Sequence, residues 1–348
     1  MSAPVTDPKV PAAAFIHNDI HLIRIYSPGI IQHTWANNRL EWGKTTDVET
    51  YFARETLLSN QDFTSNGKLK FWALVPKSFG QDHPNLDHVL CAVETFERPG
   101  IVATKNQGVK DVLSVSVASV FTPPQSRGHG YASLMMKSLW EEIKKMDNVS
   151  FTFLYSDVGP TFYGRIGWTP RRSDEIVIPT SHFVIDQSPS PPARLANVTD
   201  DDLTSLINKD AQLLREELKK RAESSGPEKI FVAATPEPSC IRWLTARSRF
   251  TAQYIRKLEQ HDITVLGARD TKTDSFALYF HHLLEDQLYI IRWRLDPKAG
   301  EETARALIQA AQAEAKKWNL SKVVIWNPEQ SLADLLGLQI KHRDDALP

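Results

Sequence analysis

The segment Val120-Phe-Thr-Pro-Pro-Gln-Ser-Arg-Gly-His-Gly-Tyr-Ala132 decides the fold of this chain. A β-rich run precedes it and must end at Pro123, because proline has no N–H to donate to a sheet. After the segment, apolar side chains recur at helical spacing: Leu134, Met135, Leu139, Ile143 and Met146. Two glycines, Gly128 and Gly130, therefore stand where a strand passes into a helix.

Glycines at such a junction favour an anion site. Glycine has no Cβ, so phosphates can approach the backbone, and the unpaired N–H groups of the first helical turn point at the anion. The segment has no third glycine at dinucleotide spacing and no following Gly-Lys-Ser/Thr, so nicotinamide binding and nucleotide hydrolysis are excluded. We interpret it as a pyrophosphate cradle, with a plain structural loop as the alternative.

Further elements are predicted on both sides of this junction. In the first half, helices are expected within residues 35–58 with a turn at Gly43, strands at 71–75, 89–95, 112–121, 149–155 and 175–179, and a turn-helix element at 159–167. In the second half, Thr199-x-x-Asp202 begins a helix, followed by a helix at 241–258, strands at 263–269, 275–282 and 288–295, a helix at 301–318 and a strand at 322–326. Both halves thus contain helices, antiparallel strands, a helix and a strand, which predicts an α/β (α+β) fold with a mixed sheet and flanking helices in each.

A segment rich in proline and serine separates the two halves. Three prolines and two serines replace any apolar periodicity within residues 186–193, as in an extended connector. We predict an N-terminal tail at 1–14, a catalytic domain at 15–185, a linker at 186–193 and a C-terminal domain of similar architecture at 194–348.

Composition excludes several classes of function. The 348 residues include 41 basic and 42 acidic side chains, so no global charge favours nucleic acid or an anionic membrane. Cys91 and Cys240 are far apart, which suits a reducing compartment and offers no disulfide framework. Residues 1–14 carry prolines before any apolar run, so neither a signal peptide nor a membrane span is expected. We predict a cytoplasmic protein without a metal site.

The run Gln125-Ser-Arg127-Gly128-His-Gly130 resembles the GNAT superfamily, whose signature at this junction is Gln/Arg-x-x-Gly-x-Gly/Ala. The resemblance implies a GNAT fold and acetyl-CoA as cosubstrate. It further implies that backbone amides of residues 127–132 hold the pyrophosphate, while residues 120–122 pair with pantetheine and one of their amides stabilises the oxyanion. The implied cosubstrate-binding residues are Val120, Phe121, Thr122, Gln125, Arg127, Gly128, His129, Gly130, Tyr131 and Ala132.

A second motif, Phe162-Tyr163-Gly-Arg-Ile-Gly167-Trp168, resembles the Phe-Tyr-x-x-x-Gly-Phe element of the same superfamily. In that family the tyrosine stands near the sulfur and can protonate the departing thiolate. The resemblance therefore implies Tyr163 as general acid. The alternative is a core tyrosine whose hydroxyl has a backbone partner.

The general base departs from the family pattern. Many members use a strand glutamate through water, whereas residues 113–121 carry only serines as polar side chains. Glu94 on the preceding strand and Asp157 after the fifth strand are the candidates, each with a surface or turn contact as the alternative. His129 is a weaker candidate, because it lies inside the phosphate loop.

Three further motifs resemble fungal lysine N6-acetyltransferases: Leu154-Tyr-Ser-Asp157-Val-Gly159, Glu41-Trp42-Gly43 and Tyr51-Phe-Ala-Arg54-Glu55. The resemblance implies an N-acetyltransferase of the EC 2.3.1 class acting on a small-molecule amine, the ε-amine of free L-lysine, in lysine degradation. Protein or polyamine acetylation stays open as an alternative in the same class. A non-catalytic acyl-CoA-binding module is the alternative from another class.

Free lysine also carries a carboxylate, which an arginine fork matches well. Alternation along a strand places Arg292 and Arg294 on one face, where they either contact solvent or bind that carboxylate. The helix that begins at Glu301 follows Pro297-Lys-Ala-Gly300, which does not match the cradle pattern. We therefore expect one acetyl-CoA site, in the N-terminal half.

Overall fold

A computed structural model describes residues 15, 17–43, 45–82, 84–181 and 194–343. The predicted tail at 1–14 and linker at 186–193 lie outside the described residues. The chain divides into two compact units, one with residues 1–55, 64–99 and 112–154, the other with residues 56–63, 100–111 and 155–348. The predicted domain limits do not coincide with these units and remain a prediction.

The first unit is built on one sheet with helices. Its elements are β1 (Ile20–Ile25), α1 (Pro28–Trp42), α2 (Val48–Ser59), β2 (Leu69–Pro76), β3 (Cys91–Thr104), β4 (Gly108–Phe121), α3 (Tyr131–Ile143) and β5 (Val149–Leu154), of which α2, β3 and β4 continue into residues of the second unit. The strands lie in the order β1-β2-β3-β4-β5. The pairs β1/β2 and β2/β3 are antiparallel, and β4/β5 is parallel.

Apolar spacing explains why α3 lies where it does. Tyr131, Met135, Leu139 and Ile143 repeat every four residues and are at most 2% exposed, so they form one buried stripe. Between α1 and α2 the chain turns at Gly43, where a Cβ would come within 2.4 Å of the Tyr51 ring. The predicted turn at Gly43 is therefore confirmed, and it depends on glycine.

The second unit contains a seven-stranded sheet. Its elements are α4 (Pro160–Gly164), β6 (Asp174–Pro179), β7 (Leu195–Val198), α5 (Asp200–Glu223), β8 (Ile230–Ala234), α6 (Pro238–Phe250), β9 (Gly267–Asp270), β10 (Phe276–His282), β11 (Gln287–Arg294), α7 (Glu301–Lys317), β12 (Lys322–Trp326), α8 (Gln330–Leu336) and β13 (Lys341–His342). The strands lie in the order β13-β6-β12-β11-β10-β9-β7. A large core cluster of this unit includes Leu278, Leu288, Leu307 and Val323, all fully buried.

The two sheets contain the same type of connection. In each, a strand passes through a helix to a parallel neighbour: β4-α3-β5 in the first unit and β11-α7-β12 in the second. Helical crossovers between parallel strands are the usual solution for such pairs. The predicted mixed α/β architecture, with a GNAT-like second half, is confirmed.

Two strands differ from the sequence analysis. Residues 174–179 were expected in the N-terminal catalytic domain, but β6 pairs with β12 over Glu175–Pro179, so it completes the second sheet. Strand β8, which the sequence analysis missed, pairs antiparallel with Gly100–Thr104 of β3. Both pairings join segments distant in sequence, and local periodicity does not report such partners.

Candidate active site

The end of β4 is free of its parallel neighbour. The ladder between β4 and β5 stops at Val117 and Leu154, although β4 continues to Phe121. Ser119 has a φ of 55°, which is rare for a residue other than glycine and turns the backbone at this point. The predicted cosubstrate-binding residues Val120 and Phe121 therefore lie on a strand end whose peptide groups β5 does not use.

The loop after β4 folds back on itself. Residues Pro124–Ser126 form a 3-10 turn, with Ser126 N–H bonded to the Pro123 carbonyl at 2.8 Å. Arg127 donates from Nε to the Thr122 carbonyl at 3.0 Å, and its guanidinium lies 5.5 Å from the Phe121 ring centroid. The Arg127 side chain thus closes the loop, and its N–H is also used there, bonded to the Pro124 carbonyl at 3.3 Å.

Both glycines adopt the conformation that a cradle requires. Gly128 and Gly130 have φ of 84° and 75°, and a Cβ at Gly128 would meet no atom within 4 Å. The first bond of α3 runs from Leu134 N–H to the Gly130 carbonyl, so the preceding amides of residues 131–133 are not used by the helix. Ser126 Oγ is buried and has no hydrogen-bond partner in the described ranges of the chain. Open space, helix-end amides and an unpaired hydroxyl together fit a phosphate group.

Two predicted cosubstrate residues contact the segment before β1. Tyr131 is 2% exposed, and its hydroxyl accepts a hydrogen bond from Phe15 N–H at 3.1 Å. His129 is exposed, and its carbonyl oxygen lies 2.9 Å from His17 Nε2. The contact from His17 ties the residues before β1 to the cradle, a role that the sequence analysis did not anticipate.

Glu94 lies on β3 and contacts the kinked end of β4. Its Oε2 accepts a hydrogen bond from Ser119 Oγ at 3.0 Å. Burial raises the pKa of Glu94 to about 8, the negative charge of Glu55 adds to this rise, and Ser119, Trp35 and Arg54 oppose it. A carboxylate with a pKa near neutrality is suited to accept a proton.

Arg54 and Glu55 stand beside this carboxylate and were missed as site residues. Arg54 is 2% exposed and lies with its guanidinium carbon 4.4 Å from the Tyr51 ring centroid. Its Nε and Nη2 donate to Glu55 Oε1 at 2.8 and 2.6 Å, while its Nη1 is buried and has no hydrogen-bond partner within the residues that the structure describes. The motif Tyr51-Phe-Ala-Arg54-Glu55 was the available signal, but no spacing rule connected it with Glu94.

The other two predicted catalytic residues belong to the second unit. Asp157 follows β5 and is exposed. Tyr163 lies in α4, is partly buried, and its ring packs edge-on against Phe162 at 4.8 Å. Their catalytic roles, like that of Glu94, remain predictions.

Arg292 and Arg294 have a different role from either one expected. Arg292 donates from Nε and Nη2 to Asp210 at 2.6 and 3.0 Å, and Arg294 donates from Nε to the same carboxylate at 2.7 Å. Asp210 is 1% exposed, and Arg294 also pairs with Glu217. The two arginines neutralise a buried aspartate, so they neither form a solvated face nor remain available for an acceptor's carboxylate.

Membrane and metal features are not found among the described residues. No helix in the described parts of residues 15–181 and 194–343 has the length and apolar character needed to cross a membrane. No group of three or more His, Cys, Asp and Glu side chains in the same described part of the chain could hold a metal ion.

Comparison with known proteins agrees with the fold. Residues 179–348 match the LYC1 GNAT-like C-terminal domain, and residues 102–171 match the acetyltransferase (GNAT) domain. A probable N-acyltransferase from Enterococcus faecalis superposes with a TM-score of 0.55 at 13% identity, covering 94% of this chain and 71% of that one. A GCN5-related N-acetyltransferase from Kribbella flavida gives a TM-score of 0.53 at 15% identity, covering 94% and 69% of the two chains. The chain belongs to the GNAT superfamily and is an N-acetyltransferase that uses an acyl-CoA.

Two fungal sequences are similar over nearly the whole chain. A lysine acetyltransferase from Yarrowia lipolytica is 26% identical over 94% of this chain and 89% of its own length. An uncharacterized protein, YGR111W, from Saccharomyces cerevisiae is 24% identical over 90% of this chain and 85% of its own length. The first of these agrees with the resemblance carried by the motifs.

Proposed function

We propose that the protein transfers the acetyl group of acetyl-CoA to the ε-amine of free L-lysine, as the first step of lysine degradation in the cytoplasm. The observation that carries this proposal is the Glu94 carboxyl, which is held by Ser119 next to the freed end of β4 and has its pKa raised to about 8. Similarity to a protein named lysine acetyltransferase supports the acceptor.

The acceptor amine explains why such a carboxylate is needed. A lysine ε-ammonium has a pKa of about 10.4, so presenting it as neutral amine at pH 7 costs about 4 to 5 kcal/mol. Glu94, once ionised, takes this proton at Oε1 or Oε2, and the Ser119 hydroxyl orients the carboxylate. Glu94 thereby replaces the strand glutamate that β4 lacks.

The remaining proposed roles follow the motifs. Acetyl-CoA supplies the thioester carbonyl that the amine attacks. Backbone amides of residues 127–132 hold its pyrophosphate, and an amide within residues 120–122 stabilises the oxyanion. Because the amine itself attacks the carbonyl, no covalent bond to the protein forms. The new C–N bond replaces the C–S bond of the thioester, and Tyr163 gives its phenolic proton to the sulfur that leaves. We further propose that Arg127 shapes the loop through the Thr122 carbonyl and does not contact the cosubstrate with its side chain.

The test is release of CoA by purified protein with acetyl-CoA and free lysine, ornithine, cadaverine, spermidine or a lysine-bearing peptide. Glu94→Gln is expected to lower kcat by about 100- to 10,000-fold. The matched control, Asp157→Asn, removes the charge of an exposed carboxylate and is expected to stay close to wild type. Tyr163→Phe is expected to lower kcat with little change in KM.

Other results would support a different general base, a different acceptor or a non-catalytic role. A large loss in Asp157→Asn with little in Glu94→Gln would make Asp157 the base. Preference for the peptide or for polyamines would indicate an enzyme for those acceptors. Acetyl-CoA binding without turnover on any amine would leave a non-catalytic binding module.

The pH dependence has opposite signs for activity and stability. Because Glu94 must be ionised to accept a proton, kcat is expected to rise with pH and to level off above about pH 8. In the folded protein Glu94 keeps its proton up to about pH 8, whereas in the unfolded chain it loses the proton above its ordinary pKa of 4.5. The contribution of this carboxyl to the free energy of unfolding therefore falls as pH rises from 4.5 to about 8. Glu94→Gln should therefore flatten the kcat profile and make the unfolding midpoint higher than that of wild type at pH 9. A kcat profile of unchanged shape in Glu94→Gln would contradict this role.

A further inference from the structure

Arg54 carries a donor that the described part of the chain does not use. Its guanidinium is held by Glu55 at Nε and Nη2 and by the Tyr51 ring, while Nη1 has less than 1 Å² of exposed surface and no hydrogen-bond partner among the described residues. A buried charged donor left unpaired destabilises a protein, because it has lost its water without gaining an acceptor. Such an atom would be satisfied by an oxygen from outside the chain.

The neighbourhood of Arg54 has both signs of charge. Glu55 is paired with Arg54 and is 19% exposed in its side chain, and its charge acts on Glu94. An ammonium group is attracted to these two carboxylates, while the unused guanidinium nitrogen attracts a carboxylate. An amino acid carries both groups, whereas a polyamine has no carboxylate and would leave Nη1 unpaired.

The arginines first considered for this role are engaged elsewhere. Arg292 and Arg294 both donate hydrogen bonds to the Asp210 carboxylate. Arg54 differs from them because two of its nitrogens fix its position while the third, Nη1, is buried and pairs with no acceptor in the described part of the chain. A fixed fork with one spare donor loses little conformational entropy when it binds a ligand.

We propose that Arg54 binds the carboxylate of the acceptor through Nη1 and so restricts the acceptor to amino acids. This inference rests on the proposed function, in which Glu94 receives the proton of the acceptor amine. Because Nη1 is covered, side chains over it must move aside when the acceptor enters.

The first test needs no variant. Acceptors with the same ε-amine but different acid groups, namely L-lysine, L-lysinamide and cadaverine, are compared by kcat/KM for acetyl-CoA-dependent CoA release. A hydrogen bond to a charged group is worth about 1.5 to 3 kcal/mol, so lysine is expected to exceed lysinamide and cadaverine by about 10- to 150-fold. Calorimetric titration of lysine and lysinamide into protein with CoA should show the same preference without chemistry.

The second test assigns the preference to Arg54. Arg54→Gln is expected to lower the lysine-to-cadaverine ratio of kcat/KM by about 10- to 100-fold. The ratio is the informative quantity, because loss of the Arg54 charge also raises the pKa of Glu94 and so affects both acceptors. Retained cadaverine turnover shows that the variant is folded. Arg292→Gln is the matched control, because Arg294 still holds Asp210, and it should leave the ratio of lysine to cadaverine turnover unchanged.

Failure of this inference differs from failure of the proposed function. Absence of turnover on every amine would refute the proposed function. Equal turnover of lysine, lysinamide and cadaverine would keep amine acetylation and overturn the role of Arg54. Equal loss of lysine and cadaverine turnover in Arg54→Gln would also overturn it, because Arg54 would then serve the fold alone.

Discussion

The β4-α3 and β11-α7 junctions share a topology, but they differ in the features that bind an anion. Between β4 and α3, Gly128 and Gly130 adopt positive φ, and the first turn of α3 carries no acidic residue. Between β11 and α7, Gly300 has a φ of −87°, and Glu301 and Glu302 occupy the first helical turn. Negative side chains stabilise a helix N-terminus but exclude a phosphate from it.

The loop before α7 also satisfies its own backbone. Asp296 Oδ1 accepts the Lys298 N–H at 2.8 Å, and the Ala299 N–H is bonded to the Asp296 carbonyl at 2.8 Å. The end of β11, which precedes this loop, also takes part in the fold. Ile290 is the last residue of β11 that pairs with β12, and beyond it Arg292 and Arg294 bind Asp210. We therefore expect the same topology to serve a ligand in one unit and packing in the other, with function set by the junction and not by the fold.

The largest effect expected from this comparison concerns Asp210. Asp210→Asn leaves Arg292 and Arg294 without their buried counter-ion, which should lower the free energy of unfolding by about 3 to 5 kcal/mol. Affinity for acetyl-CoA should not change, because this junction has no cradle. Urea unfolding and calorimetry of acetyl-CoA binding measure the two quantities.

The control for Asp210 is an exposed ion pair of the same unit. Asp111 is 79% exposed in its side chain and pairs with Arg215, so Asp111→Asn should cost less than about 1 kcal/mol. If Asp210→Asn were no more destabilising than Asp111→Asn, the network at the end of β11 would not be structural.

The next prediction introduces an acidic residue, as found at the start of α7, into the start of α3. Ala132→Glu places a carboxylate at the second position of α3, where α7 has Glu302. At about 5 Å and an effective dielectric constant of about 20, two like charges repel by about 3 kcal/mol, so KM for acetyl-CoA should rise by about 100-fold. Stability should hold or rise by about 0.3 to 1 kcal/mol, because the charge suits the helix dipole.

Glu302→Ala is the reciprocal change. Its carboxylate is 76% exposed and lies outside the cradle, so acetyl-CoA kinetics should equal those of wild type. Steady-state kinetics and thermal unfolding of both variants measure the contrast. Unchanged KM in Ala132→Glu would mean that the pyrophosphate does not bind at the start of α3.

Much of the fold and of the cradle was predictable because both depend on local sequence. The helix of α3 follows from its apolar spacing, and the positive φ of Gly128 follows from a glycine at a strand-to-helix junction. Strand β8 was missed since its partner, β3, lies more than a hundred residues earlier in the chain. Long-range pairing is set by the tertiary fold and leaves little local signal.

The chemistry around Glu94 was only partly predictable for the same reason. Glu94 was named as a candidate base by elimination, because β4 lacks a glutamate. Its hydrogen bond to Ser119 and its proximity to Arg54 and Glu55 join three elements that no spacing rule connects. For Arg292 and Arg294 the predicted roles were wrong. Strand alternation placed both side chains on one face, but it could not reveal that Asp210 lies opposite them.

The smallest effect concerns the N-terminus of α5, which is capped by side-chain hydrogen bonds, unlike the N-terminus of α3. At α5, Asp202 Oδ2 accepts hydrogen bonds from the Thr199 N–H and Oγ1, both at 3.1 Å. Thr199→Ala removes the hydroxyl and should lower the free energy of unfolding by about 1 kcal/mol without changing acetyl-CoA kinetics. The control is Ser205→Ala, which removes an exposed hydroxyl from the same helix and should cost less.

The pH dependence sharpens this last comparison. Hydrogen bonds from the Thr199 backbone, with a smaller contribution from Arg269, lower the pKa of Asp202. A carboxylate with a lowered pKa stabilises the fold above its ordinary pKa of 3.8 and loses this contribution as pH falls through its folded value. The difference between wild type and Thr199→Ala in urea unfolding should therefore shrink below about pH 4, because a protonated Asp202 accepts the hydroxyl less well. A difference that stays constant down to about pH 3 would show that the hydroxyl acts through another partner, and the capped start of α5 would then not be the counterpart of the open start of α3.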